Sequence, residues 1–164
     1  MLEILTGETN KTLREKSVSV AKIDSSIKKL IKEMVKSMGS ENGVGLAAPQ
    51  VGSNIRVIIA RLNPGEGNEI IVAMVNPEIA SCSEEKEAGE EGCLSLPGMW
   101  GQVVRSREII VRFTSQKGQD QTLKMEALNA RIVQHEIDHL DGVLFVDKAT
   151  GIHEKKMEID DLQI

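Results

Sequence analysis

The pentapeptide His135-Glu136-Ile137-Asp138-His139 constrains this chain of 164 residues more than any other stretch. On a helix, side chains four residues apart share one face, so both imidazoles can reach a single divalent cation. Glu136 then stands beside the pair, placed to take a proton from a metal-bound water. The surrounding pattern supports a helix over 128–140, with Leu128, Ile132, His135, Ile137 and Leu140 at helical spacing and Gly142 as terminator. Taken alone, the pentapeptide also admits a plainer reading, two core or surface histidines beside a salt-bridging glutamate.

A metal at this face needs a third ligand. His139 is followed by Leu140-Asp141-Gly142, which starts a zinc-protease pattern, but the histidine due three residues later is Phe145. Glu158 lies in a short charged tail with little chain left to support it, and His153 reads as an ordinary surface histidine. The third ligand is therefore expected upstream, at Cys93 in Glu91-Gly92-Cys93-Leu94-Ser95-Leu96-Pro97-Gly98. A thiolate and two imidazoles leave one position open, as at a catalytic metal. Fe(II), Co, Ni and Zn all accept such a set, and spacing does not choose among them. The other reading of Cys93 is a small buried apolar residue. Cys82, with no motif around it, takes the structural label.

The remaining pattern predicts an α+β domain occupying 1–164. Asp24 and Ser25 can cap an N-terminal amphipathic helix over 25–38, with Ile27, Leu30, Ile31, Met34, Val35 and Met38 on its apolar face. Strands are expected over 55–60, 70–75, 103–105, 109–114 and 122–125, with Asn76-Pro77 ending the second. The acidic run 83–91 reads as a solvated turn or strand edge, and the charged tail from Lys148 as a short fraying helix.

Charge and composition exclude several classes. Lys and Arg number 20 against 25 Asp and Glu, a net charge of −5, which disfavours a dedicated nucleic-acid binder. Two Phe, one Trp and no Tyr leave little for a base-stacking platform. Two cysteines make no disulfide framework, no apolar run is long enough for a membrane span, and no leader pattern is visible. A cytoplasmic protein is expected.

Three segments, GVGLAAPQVG (43–52), EGCLSLPG (91–98) and QHEIDHLDG (134–142), resemble in order and spacing the three motifs of peptide deformylases. The similarity spans about the whole chain, and Leu144-Phe145-Val146-Asp147 extends it. The resemblance implies antiparallel sheets around a central H-E-x-x-H helix, and removal of the formyl group from N-terminal formyl-methionine of new polypeptides, releasing formate. It implies one divalent metal on Cys93, His135 and His139, usually Fe(II), with Zn, Ni or Co possible in a purified sample. Metal-held hydroxide would attack the formyl carbon with Glu136 as base and then acid. The Gln50 side-chain amide and the Leu94 backbone N–H would serve the oxyanion. Gly45 would lend its backbone to an extended peptide, since lack of a Cβ permits close approach. The methionine side chain needs an apolar slot, which the helical stripe of Leu128, Ile132 and His135 can line with Val44 nearby on the family pattern, although Leu128 and Ile132 read equally well as core.

Three departures stand out: TGETNKTLRE lacks a His-x-Pro start, Glu126-Ala127-Leu128-Asn129 replaces a Gly-led stretch, and Trp100-Gly101 lies where some members carry an Arg. The tail sets Lys155 and Lys156 against Glu154, Glu158, Asp160 and Asp161, so no more than weak, transient ribosome contact is expected. The competing readings are a zincin-like endopeptidase indifferent to Cys93 and a metal-dependent binding module that releases no formate.

Overall fold

The computed structural model describes residues 2–156. Its elements are α1 (Lys11–Arg14), α2 (Ser25–Ser40), β1 (Gly45–Ala47), a 3-10 turn (Ala48–Val51), β2 (Val57–Leu62), β3 (Ile70–Cys82), β4 (Lys86–Cys93), β5 (Leu96–Ser106), β6 (Glu108–Thr114), β7 (Asp120–Glu126), α3 (Ala127–Leu140), a second 3-10 turn (Phe145–Asp147) and β8 (Thr150–Glu154). One sheet has five strands in the order β1-β2-β3-β6-β7, the other three in the order β4-β5-β8, and the pairings are antiparallel. The fold is α+β.

Strand β2 shows why the layers form. Successive side chains on a strand point to opposite faces. Val57 and Ile59 join the apolar cluster of Ile31, Met34 and Met38 from α2, whereas Ile58, Ala60 and Leu62 join that of Ala130, Ile132, Val133 and Ile137 from α3. A strand apolar on both faces is thus sandwiched between two helices. Helix α2 begins where Asp24 accepts hydrogen bonds from the Ser26 and Ile27 N–H groups at 2.9 and 3.1 Å. It runs two residues beyond the expected end. Helix α3 touches β1, β2, β5, β6 and β7, so it packs on strands of both sheets.

The structure corrects two expectations and decides a third between its two readings. Strand β3 does not stop at Asn76-Pro77 but continues to Cys82. Its register with β6 shifts between Val75 and Glu78, a bulge that accommodates a proline with no N–H to give the ladder. Of the two readings of the acidic run, solvated turn or strand edge, the second holds: Lys86–Cys93 is β4, the outer strand of the three-stranded sheet, exposed at its start and buried at Glu91, Gly92 and Cys93. The tail contributes strand β8 at Thr150–Glu154, paired with β5, rather than a helix. The rest of the expected tail helix, from residue 157, lies outside the described residues.

Ala127 opens α3 with φ +50°, a left-handed conformation, and its N–H donates to the Arg107 carbonyl at 2.8 Å. A Cβ in that region costs about 1–2 kcal/mol, which a glycine avoids. Against the greater entropy that glycine loses on folding, Ala127→Gly is expected to stabilise the protein by about 1 kcal/mol, or roughly 2–4 °C in thermal denaturation.

Candidate active site

Helix α3 carries His135 and His139 on one face, and β4 delivers Cys93 to them at its end. The Cys93 Sγ and a ring nitrogen of each histidine lie within 4.8 Å of one another, and all three residues are buried. Cys93 Sγ is 3.3 Å from His139 Nε2. His135 Nδ1 lies 2.9 Å from the Glu91 carboxylate. An ionised carboxylate only accepts, so Nδ1 is the donor of this pair and Nε2 is the nitrogen left to face Cys93 and His139. That Nε2 is buried with no hydrogen-bond partner among the described residues. A soft sulfur, two imidazoles and a buried ring nitrogen without a hydrogen-bond partner among the described residues suit a divalent transition metal.

Glu91 is fully buried and is surrounded by donors. Arg105 reaches both of its oxygens at 2.8 Å, and Arg131 donates to Oε1 at 2.8 Å. Arg105 also donates to Asp138 at 2.6 Å, and Asp138 accepts from Lys148 at 2.7 Å. The path runs from His135 to a lysine at the surface. Burial pushes the Glu91 carboxyl up, but hydrogen bonds from Arg105 and His135 outweigh it and hold the group well below the usual carboxylate range.

Glu136 is fully buried, and neither of its carboxylate oxygens has a hydrogen-bond partner among the described residues. Burial raises its affinity for a proton well above the usual value, and the charges of Glu91 and Asp138 add to this against the opposing Arg105. Burial also pushes the Cys93 thiol up to about 12 and His139 well down. Each shift disfavours charge in a dry site, and a cation bound there would favour the thiolate and the ionised Glu136. A Cβ on Gly45 would overlap the Glu136 carboxylate. The close approach that this glycine permits is therefore made by Glu136.

Gln50 is fully buried in the 3-10 turn after β1. Its Oε1 accepts from the Ala47 N–H at 2.7 Å, and its Nε2 donates to Ser95 Oγ at 3.2 Å and faces Cys93 Sγ at 3.7 Å. Leu94 follows Cys93, with its side chain packed in the α2 cluster. Val44 and Ile132 share the α3 core cluster, whereas Leu128 is 39% exposed one turn earlier on the helix. Cys82 and His153 are exposed and away from this cluster, His153 pairing with Glu90 at 3.3 Å.

Glu91, Arg105, Arg131 and Ser95 were not foreseen. Two signals pointed to them: Glu91 precedes Cys93 by two residues, hence shares its face on a strand, and Arg131 precedes His135 by one helical turn. The folded Glu91 stays ionised below 4.5, its ordinary value, while the unfolded one takes up a proton. Its stabilisation is complete above that pH and is lost as the pH falls toward the depressed value. In the metal-free protein, Glu91→Gln is expected to cost about 3 kcal/mol at neutral pH. Denaturant unfolding between pH 5 and 3 should then show a flatter loss of stability than in the wild type.

The polypeptide deformylase family model matches residues 1–155. The peptide deformylase of Desulforudis audaxviator is 46% identical over 144 residues, 88% of this chain and 91% of its own. A probable peptide deformylase from Synechococcus phage S-SSM7 superposes with a TM-score of 0.84 at 43% identity, covering 90% of this chain and 99% of its own. The class I type b peptide deformylase of Acinetobacter baumannii, solved with Met-Ala-Ser bound, has a TM-score of 0.83 at 37% identity, covering 90% of this chain and 98% of its own. The chain is a hydrolase and belongs to the polypeptide deformylase family.

Proposed function

We propose that residues 1–164 act as a single catalytic domain that hydrolyses the N-terminal formyl group of formyl-methionyl nascent peptides, releasing formate. The observation that carries this reading is the buried Cys93, His135 and His139 set with the unpartnered Glu136 carboxylate on the same helix. These three ligands would hold one divalent metal, Fe(II) by preference, with Zn, Ni or Co as substitutes. When bound, the cation supplies an activated water and Lewis acidity toward the formyl oxygen.

The chain's own groups handle protons and charge. Glu136 takes the proton of the attacking water as the new C–O bond forms at the formyl carbon. It then passes that proton to the departing amine as the C–N bond breaks, leaving formate and a free N-terminus. The Gln50 Nε2 and Leu94 N–H donate to the oxygen that gains negative charge, and losing one such donor costs about 3–4 kcal/mol. Gly45 admits the Glu136 carboxylate beside the peptide backbone, and Val44, Leu128 and Ile132 form the wall for the methionine side chain. Met-Ala-Ser, the peptide bound in the Acinetobacter structure, is what hydrolysis of formyl-Met-Ala-Ser leaves.

No helix among the described residues is long and apolar enough to cross a membrane. We place the protein in the cytoplasm, with no dedicated nucleic-acid binding and only weak, transient ribosome contact. Protein purified without oxygen should release formate from formyl-Met-Ala-Ser and carry one metal per chain. Glu136→Ala should keep that metal and lose roughly a hundred- to ten-thousandfold in kcat. Normal turnover by this variant would overturn the mechanism.

A further inference from the structure

The two groups assigned to the oxyanion sit on separate segments, Gln50 in the 3-10 turn after β1 and Leu94 in the connection between β4 and β5. Neither segment continues into the other, so their spacing needs an outside brace. The N-terminal arm supplies one. The Leu5 N–H donates to the Gln50 carbonyl at 2.7 Å, and the Gly7 N–H donates to the Ser95 carbonyl at 3.0 Å. One short stretch of extended chain thus ties the backbone of Gln50 to the residue after Leu94.

The side chains repeat the tie. Ser95 is fully buried, and its hydroxyl oxygen accepts from Gln50 Nε2 at 3.2 Å. With Oε1 held by the Ala47 N–H, the Gln50 amide has one rotamer and one orientation. Nε2 donates one hydrogen to Ser95 and is aimed with the other at Cys93 Sγ, to which it donates at 3.7 Å. The arm is itself anchored at both ends. Leu2 exchanges two hydrogen bonds with the Ser37 hydroxyl of α2 at 2.7 and 2.9 Å, and the Asn10 N–H donates to the Gly7 carbonyl at 3.1 Å. Leu5 packs on the cluster that contains Cys93.

We infer that the arm Leu5–Gly7 and the Ser95 hydroxyl are positioning elements for the oxyanion donors, fixing the distance between Gln50 and Leu94 and the direction of the Gln50 N–H aimed at Cys93. This inference deepens the proposed function and rests on it. Gly7 is the sensitive point. Its φ of +107° is a conformation that L residues rarely adopt, yet nothing lies within 4 Å of where a Cβ would stand. Gly7→Ala therefore perturbs the backbone that aims the N–H at Ser95 without creating a clash.

The test compares metal-loaded wild type, Gly7→Ala and Ser95→Ala in formate release from formyl-Met-Ala-Ser, with metal content, melting temperature and the NMR signals of the Gln50 side-chain amide on the same samples. Both variants are expected to keep their metal and a KM within about twofold while kcat falls roughly 10- to 100-fold. The Gln50 amide signals should shift in both. A purely architectural role would lower the melting temperature and leave kcat per metal-loaded site unchanged, and that result would overturn the inference. A raised KM at unchanged kcat would overturn it too. If wild type released no formate, the proposed function would fall, while unshifted Gln50 signals in the variants would sink the positioning claim separately.

Discussion

A carboxylate removed from water survives as an anion only if donors replace its solvent shell, and around Glu91 those donors come from two other elements. Arg105 comes from β5, Arg131 and His135 from α3, and Glu91 itself from β4. This one group therefore joins the smaller sheet to the helix that bears the histidines. It also orients the His135 ring, so the same contact that closes the interior decides which nitrogen faces Cys93. Removing the charge would strand two guanidinium groups in the interior, which is why the site and the stability of the fold depend on one another.

From that joint the rest of the centre follows. Fixing α3 against β4 brings Cys93 to 3.3 Å from His139 and sets Glu136 toward β1. Strand β1 can meet a carboxylate there only because residue 45 has no side chain. The opposite wall is less rigidly built. Gln50 and Leu94 lie on connecting segments, and backbone hydrogen bonds from the N-terminal arm take the place of a continuous ladder. Two kinds of rigidity thus meet at the centre, a charged lattice on the side of Cys93 and the two histidines and a backbone brace on the side of Gln50 and Leu94.

Periodic elements were readable because one chain segment contains their whole signal. The helices at 25–38 and 128–140, and the runs beginning near residues 55, 70, 109 and 122, show their spacing locally. Errors fell where a partner decides. Asn76-Pro77 looks terminal until β6 supplies a bulge that tolerates it. The tail's charges resemble those of a solvated helix until the open edge of β5 takes up Thr150–Glu154. Glu91 sits in a run of acidic residues, and composition cannot tell the buried member from its exposed neighbours. The arm was missed for a similar reason, since main-chain donors leave no mark in a sequence.

By itself, then, the sequence determined the identity and spacing of the chemical groups: two histidines one turn apart, a glutamate between them, a cysteine in a glycine-bracketed segment, and glycine at 45. Spacing along a helix or strand is local geometry, and side-chain chemistry needs no fold to be named. Only the tertiary structure decided which acid among many is buried, which segment braces Gln50, and which nitrogen of His135 is left free. Those choices depend on groups far apart along the chain meeting with water excluded, as Glu91 and His135 or Gln50 and Ser95 do at separations of 44 and 45. Burial and hydrogen-bond partnership are properties of the folded chain, and no short window of sequence contains them.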